Sequence, residues 1–202
     1  EPLRPGVGVG QVAGGPHGID HAVALARAGQ VGMDLADGTE ADYQAVSALQ
    51  AQYDWLDRLF AEDAKAAART PGCLLVMWHA PLYSSGFHRG SGDKMRPLWQ
   101  LIDRHGADLV LSGHEHFYER FDPLDAEGQS PGDSQAPRQF VVGTGGARLH
   151  GFWKPPYRSK ARVLEHGVLQ LSLEPGSYSW RFIDVEGRVQ DAGEARCRTT
   201  VN

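Results

Sequence analysis

The sequence predicts an α/β fold with a β-rich C-terminal part, and three consecutive segments carry that prediction. In chain order they are CLLVMWH, a buried strand, RPLWQLIDRHG, a helix closed by Gly106, and ADLVLSG, a second buried strand. A strand, a helix and a strand in this order are typical of a parallel crossover unit. With 202 residues, 41% of them hydrophobic, the chain is long enough to close one core.

Periodicity and turn residues predict the elements on either side of this unit. Before it, an amphipathic helix is indicated by apolar residues at steps of three and four, and Pro71 and Gly72 end it. The apolar residues are Val46, Leu49, Tyr53, Leu56 and Phe60. After a polar stretch over 125–137, three segments read as strands: QFVVGTGG, GVLQLSL and SYSWRFIDV. We expect the last two to form an antiparallel pair across EPGS.

Residues 1–40 differ from the rest of the chain. Nine of them are Gly, and the segment lacks both strand alternation and a sustained helical stripe beyond the short AVALARA. No GxGxxG register fits, so a phosphate-binding glycine loop is not expected. We expect residues 41–202 to form part of one domain, and this Gly-rich segment not to match the family of that domain.

The composition argues against several classes of protein. The formal charge of -5 is spread without a basic block, which argues against a nucleic-acid-binding surface. No window approaches the roughly 18 to 20 unbroken apolar residues of a membrane span. Only two cysteines are present, Cys73 and Cys197, which excludes a CxxC zinc site. The sequence alone leaves open whether they form a disulfide or remain thiols.

Histidines follow both strands of the crossover unit, at the edge where ligands gather in open α/β sheets. His79 ends the first strand, and His114 and His116 follow the second, after Gly113, which permits a backbone turn. Neutral imidazole suits Zn, Fe, Mn or Ni better than Ca or Mg. We therefore predict a transition-metal site, with the three imidazoles around a common point.

The motifs around these histidines form a longer pattern between about Gln52 and Cys197. It consists of QYDWL, WHAPLYSSGFHRG, MRPLW, GADLVLSGHEHFYERF, QFVVGTGGA, SYSWRF and DAGEARC. This pattern resembles the C-terminal half of the calcineurin-like metallophosphoesterases, in particular the purple acid phosphatase-like and bacterial secreted alkaline phosphatase-like enzymes. The resemblance implies part of a β-sandwich flanked by helices, incomplete in this chain.

The resemblance also implies a reaction and the residues that serve it. The reaction is hydrolysis of phosphate mono- or diesters by a dinuclear centre of Fe, Zn or Mn ions and a bridging hydroxide. His79 and His114 would ligate the second metal, and His116 the first. His88 would contact the phosphate or protonate the leaving group, and Arg89 would bind a phosphate oxygen.

The chain departs from this family in the motifs of its N-terminal half. No DxH, GDxxY or GNH motif precedes His79, and the sole asparagine is Asn202. We therefore expect a fragment or a misread gene product whose partner is the missing N-terminal half, and which aggregates without it because its strands have open edges. The alternative is an inactive pseudo-enzyme that binds a single transition metal or a protein partner.

Two further expectations concern localisation and the residues after the histidines. No signal peptide opens the chain, but the resemblance favours a secreted or periplasmic protein. Glu119 and Arg120 follow the HEH motif. We expect them to form a structural ion pair under the loop and to have no catalytic role.

Overall fold

The computed structural model describes residues 21–26, 32–35, 51–62, 72–87, 92–132, 135–155 and 157–198. The strands in these ranges are β1 (His21–Ala26), β2 (Gly32–Leu35), β3 (Leu75–Met77), β4 (Leu109–Ser112), β5 (Tyr118–Pro123), β6 (Arg138–Val142), β7 (Ser159–Val163), β8 (Gly167–Glu174), β9 (Ser177–Asp184) and β10 (Val189–Arg196). The helices are α1, described over 51–62, and α2 (Arg96–Arg104), which follows a 3-10 turn at Gly92–Met95.

The strands form two sheets. The larger has seven strands in the order β2-β1-β3-β4-β6-β5-β7, and the smaller has three in the order β10-β9-β8. β3 pairs in parallel with β4, and β4 in parallel with β6. The predicted crossover unit is therefore confirmed: α2 connects β3 to β4, and its C-terminal end is closed by Gly106 at φ 75°, a conformation that favours glycine.

The central strands bury side chains on both of their faces. Leu74, Val76 and Val110 contact the helical layer, which contributes a cluster of buried side chains. That cluster includes Leu56, Phe60, Leu98, Trp99 and Ile102. On the opposite face, Leu75 and Leu109 pack with side chains of the three-stranded sheet: Tyr178, Trp180 and Phe182 of β9. The predicted α/β fold, a β-sandwich flanked by helices, is confirmed.

The β8–β9 hairpin also follows the prediction. Val168 faces Ile183 and Leu171 faces Trp180 in an antiparallel register. Gly176 lies in the turn at φ 81°, in the left-handed region that a tight hairpin requires. In β9, the residues at every second position, from Tyr178 to Asp184, are buried, as expected for a strand that packs one face on the core.

The structure contains two strands within residues 1–40, a segment whose sequence lacks strand alternation. The AVALARA segment overlaps β1, which pairs antiparallel with both β2 and β3. Local periodicity misses this strand because strand formation depends on pairing with neighbours distant in sequence. The pairing also changes the expected open edge: β1 covers β3, so β2 and β7 are the outer strands of the described sheet.

A disulfide joins Cys73 to Cys197, which resolves the alternative that the sequence left open. The two Cα atoms are 5.1 Å apart, and 124 residues separate the cysteines in the chain. The bond links Cys73, two residues before β3, to Cys197, which directly follows β10. Among the described residues, no helix is long and apolar enough to span a membrane.

Candidate metal centre

His79 and His114 lie at the same edge of the large sheet because β3 and β4 are parallel neighbours. The backbone N–H of Gly113 donates to the carbonyl of His79 at 2.9 Å, which holds the two strand ends together. The Nε2 atom of His79 lies 3.2 Å from the Nδ1 atom of His114, with the rings nearly perpendicular. His114 has φ 65°, an uncommon conformation for a residue with a Cβ and one that is found at functional turns.

The spacing of these two nitrogens fits a shared metal ion. Zinc binds imidazole nitrogen at about 2.0–2.1 Å in tetrahedral geometry, so two such ligands have nitrogens about 3.4 Å apart. The observed 3.2 Å between His79 and His114 is close to this value. Imidazole pairs suit Zn, Fe and Mn, so the donor set matches the metals expected from the sequence.

His116 turns toward a different part of the chain. Its Nδ1 atom lies 2.9 Å from the carbonyl oxygen of Arg148, and its ring packs 4.7 Å from that of His150. A carbonyl accepts only from an N–H, so Nδ1 carries the proton and Nε2 has the lone pair that a metal requires. Within the described ranges, ligand atoms of His79, His114 and His116 do not all come within 4.8 Å of one another.

His150 is a neighbour of the site that the sequence did not identify. Its Nε2 atom accepts a hydrogen bond from the backbone N–H of His116 at 3.3 Å. Its Nδ1 atom lies 3.9 Å from a carboxylate oxygen of Glu115, which is fully buried. The only sequence signal is a lone histidine shortly after QFVVGTGG, with no ligand spacing to mark it.

The loop that begins at His79 is fixed by two buried side chains from neighbouring strands. Gln139 accepts hydrogen bonds from the backbone N–H groups of Leu82 and Tyr83 and donates to the carbonyl of Tyr83. Glu119 accepts hydrogen bonds from the backbone N–H of Ser85 at 2.9 Å and from its hydroxyl at 2.5 Å. The loop therefore has a defined conformation between His79 and residue 87.

Gly86 brings this loop into direct contact with the HEH motif. A Cβ at Gly86 would overlap a carboxylate oxygen of Glu115, so a side chain at this position would force the buried Glu115 side chain to shift. The loop therefore packs on the side chain of Glu115, the residue between His114 and His116 in the chain.

The expected ion pair of Glu119 and Arg120 does not form, because successive residues of a strand point to opposite faces. Glu119 binds Ser85 on one side. Arg120 points toward the three-stranded sheet, where its Nε and Nη2 atoms donate to Asp191 at 2.7 and 2.9 Å. Burial and the hydrogen bond to Asp191 raise the pKa of the Tyr118 phenol, whose hydroxyl also donates to that carboxylate.

The two residues expected to bind phosphate lie outside the described residues. Phe87 is the last described residue of the loop, and His88 and Arg89 follow it directly. Of the five predicted site residues, the structure thus places His79, His114 and His116, and it brings the first two into contact.

Comparison with known proteins relates this geometry to a family. The sequence model of the calcineurin-like phosphoesterases matches residues 19–118, beginning within the Gly-rich segment and ending just after the HEH motif. Purple acid phosphatase 22 of Arabidopsis thaliana is 36% identical over 138 residues, which cover 64% of this chain and 30% of that protein. The Fe(3+)-Zn(2+) purple acid phosphatase 12 of the same plant is 28% identical over 156 residues, covering 68% and 32%.

A solved structure shows the same fold. The purple acid phosphatase PPD1 from yellow lupin (Lupinus luteus) seeds superposes with a TM-score of 0.60 at 21% identity, over 82% of this chain and 30% of that one. The chain spans about a third or less of the length of these relatives. Over residues 19–118 the chain is therefore similar in sequence to the calcineurin-like phosphoesterases, and its matched relatives include purple acid phosphatases.

Proposed function

We propose that this chain forms the C-terminal part of a metal-dependent phosphoesterase that hydrolyses phosphate mono- or diesters. The observation that carries the proposal is the contact of His79 and His114, whose ring nitrogens lie 3.2 Å apart at the ends of two parallel strands. This is the edge of an α/β sheet where ligands bind, and the spacing fits two ligands of one transition metal ion.

In this proposal His79 and His114 hold one ion, and His116 holds a second through Nε2. The contact of His116 Nδ1 with the carbonyl of Arg148 supports the assignment, because ligating histidines commonly donate their other N–H to a carbonyl. Fe, Zn or Mn suits these donors. Bound there, such ions would supply Lewis-acid stabilisation of phosphate charge and an acidified water.

The remaining roles fall to residues of this chain next to the described loop. We assign to the guanidinium of Arg89 the binding of a phosphate oxygen, because its planar donors match phosphate geometry. We assign to His88 the donation of a proton to the departing oxygen, because an imidazole titrates near neutral pH. Gln139 and Glu119 contribute indirectly, since they fix the loop that leads from His79 to these residues.

The carboxylate and amide ligands of the family are absent from this sequence, so we propose that the N-terminal half of the domain supplies them as a partner. This half would carry DxH, GDxxY and GNH. A secreted or periplasmic location is part of the proposal, and the Cys73–Cys197 disulfide supports it because disulfides persist in oxidising compartments.

Hydrolysis of p-nitrophenyl phosphate tests this function. The chain is assayed alone and together with an N-terminal half that carries the three motifs, after chelation and after metal is added back. We expect metal-dependent turnover from the combination and its loss on His114→Ala. No turnover from the combination under any metal would overturn the proposal.

The absent ligand motifs favour a second candidate, a non-catalytic module that binds one transition metal or a protein partner. The same experiment separates the two. Two results together would support the module. One is a single bound metal ion per chain, and the other is that His114→Ala leaves any measured phosphatase activity unaltered, which would show that His114 takes no part in catalysis.

A further inference from the structure

Phe87 and Trp153 form an aromatic pair on the protein surface. Their ring centroids are 4.8 Å apart, and the two residues are 56% and 69% exposed. They belong to segments 66 residues apart in the chain, and both stand among the most exposed large apolar residues of the described ranges. Contiguous exposed aromatic side chains are a common feature of ligand-binding surfaces.

The backbone beneath this pair is held in place. The backbone N–H groups of Trp153 and Lys154 donate to the carbonyl of Ser85 at 2.8 and 3.1 Å. Ser85 is itself bound to the buried Glu119. The two aromatic side chains therefore project from a preorganised surface, which lowers the entropy lost when a ligand binds.

The residue before Trp153 strengthens this support. The ring of Phe152 packs 4.4 Å from that of Phe117, which is fully buried. The guanidinium of Arg162 lies over the Phe152 ring, 3.9 Å from its centroid. Trp153 is thus exposed beside a well-packed neighbour, so its exposure does not reflect a poorly packed segment.

Both members of the pair come from chain segments that touch the candidate metal centre. Phe87 follows Gly86, whose backbone packs directly on the carboxylate of Glu115. Trp153 lies three residues after His150, whose ring packs on that of His116. Along the chain, each member of the pair thus lies one to three residues from a residue that contacts the HEH motif.

We propose that Phe87 and Trp153 bind the leaving group of the substrate, and that the substrate class is phosphate esters of aromatic alcohols. This inference rests on the proposed phosphoesterase function. An aryl phosphate and water would give the phenol and inorganic phosphate: a bond forms between the water oxygen and phosphorus, the bond from phosphorus to the aryl oxygen breaks, and that oxygen gains a proton. The rings of Phe87 and Trp153 would pack on the aryl group throughout.

Two substrates that share the phosphate but differ in the leaving group test this inference. Turnover of p-nitrophenyl phosphate and of glycerol 2-phosphate is measured for the chain combined with its N-terminal half. We expect Trp153→Leu and Phe87→Leu to lower the ratio of the two kcat/KM values, aryl over alkyl, by about threefold to tenfold, the range that one aromatic contact contributes. Trp153→Phe, which keeps a ring, should retain most of the ratio.

A control and a binding measurement keep the outcomes distinct. Val168→Ala removes an exposed apolar side chain of the three-stranded sheet and should leave the ratio unchanged. Saturation-transfer NMR with 4-nitrophenol, the product, tests the aromatic pair even if no ester is hydrolysed. We expect a signal with the wild-type chain that Trp153→Leu removes.

Three results would overturn the inference. One is an equal loss of activity on both substrates, and another is the absence of the product signal with the wild-type chain. The third is a change of oligomeric state on Trp153→Leu with the substrate ratio unaltered, because the pair would then contact a protein. Absence of ester hydrolysis together with a Trp153-dependent product signal would instead overturn the phosphoesterase proposal and leave the aromatic site intact.

Discussion

The buried carboxylate of Glu119 accepts two hydrogen bonds from Ser85, one from its backbone N–H and one from its hydroxyl. The two residues are 34 positions apart, so the contact fastens the loop after β3 to the strand that follows the HEH motif. Because Trp153 also donates to the Ser85 carbonyl, Ser85 links this loop to the segment after His150 as well. The geometry around the candidate site thus depends on one buried acid.

Replacing Glu119 with Ala should destabilise the protein measurably. The substitution leaves the buried N–H of Ser85 without its acceptor, and we expect the free energy of unfolding to fall by about 1–3 kcal/mol. Ser85→Ala removes the hydroxyl and keeps the N–H contact, so its loss should be smaller, about 1 kcal/mol. Denaturant unfolding measures both, and a Glu119→Ala variant as stable as the wild type would contradict the expectation.

Metal binding should depend on the two histidines in contact. We expect His114→Ala to weaken Zn²⁺ binding by at least about 100-fold, since even residues that only orient ligands change metal affinity by about 10–100-fold. His105→Ala is the matched control, because its ring binds Asp57 on the helical layer. Calorimetric titration with Zn²⁺ compares the variants. An equal affinity for both would rule out His114 as a ligand.

Gly143 should be intolerant of a side chain. A Cβ at Gly143 would overlap the carbonyl oxygen of Glu115 and lie 3.2 Å from the Cα of His116, and backbone atoms cannot rotate away. We expect Gly143→Ala to cost about 1–3 kcal/mol of unfolding free energy and to weaken Zn²⁺ binding. Gly145→Ala is the control, because a Cβ there has nothing within 4 Å. Similar melting temperatures for the two variants would contradict this expectation.

The crossover unit could be predicted because its signals are local. β3 and β4 are short apolar runs, α2 has helical spacing, and Gly106 ends it. β5 could not be predicted in the same way, because it carries charged side chains through the interior of a sheet. Glu119 is satisfied by Ser85, 34 residues away, and Arg120 by Asp191, 71 residues away. No local pattern shows such partners.

For the same reason, only some residues of the candidate site could be predicted from the sequence. His79 and His114 could be predicted as neighbours, because the carboxyl ends of adjacent parallel strands meet at one edge. His150 could not, since its approach to His116 depends on the path of the chain after β6. The same holds for Trp153, whose backbone N–H donates to the Ser85 carbonyl and whose ring packs on that of Phe87.

The disulfide should contribute strongly to stability. Cys73 and Cys197 close a loop of 124 residues, and cross-linking a loop of this length restricts the unfolded chain. We expect reduction to lower the free energy of unfolding by about 2–5 kcal/mol. Thermal melting with and without reductant measures the change. The Cys197→Ser variant is the control: it should already melt at the lower temperature and should not respond to reductant.

Asp191 should make the stability of the protein depend on pH. Burial raises the pKa of this carboxyl, but hydrogen bonds from Arg120 and Tyr118 outweigh burial and hold the pKa below its usual value. Trp180 donates to the same oxygen at 3.0 Å. Because the pKa is lower in the folded state, the carboxylate stabilises the protein at pH values above the unfolded pKa of about 3.9. This stabilisation is lost as the pH falls through the folded pKa.

We therefore expect Asp191→Asn to lose about 3–5 kcal/mol of unfolding free energy at pH 7, because Arg120 then keeps a largely buried, uncompensated charge. The difference between wild type and variant should stay constant down to about pH 5 and shrink as the pH is lowered from there to about 2, because the unfolded wild-type chain takes up a proton at a higher pH than the folded carboxylate does. Denaturant unfolding across this range measures it, with Glu174→Gln on the exposed end of β8 as the control. A difference that stays constant from about pH 6 to about pH 2 would show that the Asp191 carboxylate does not stabilise the fold through its charge.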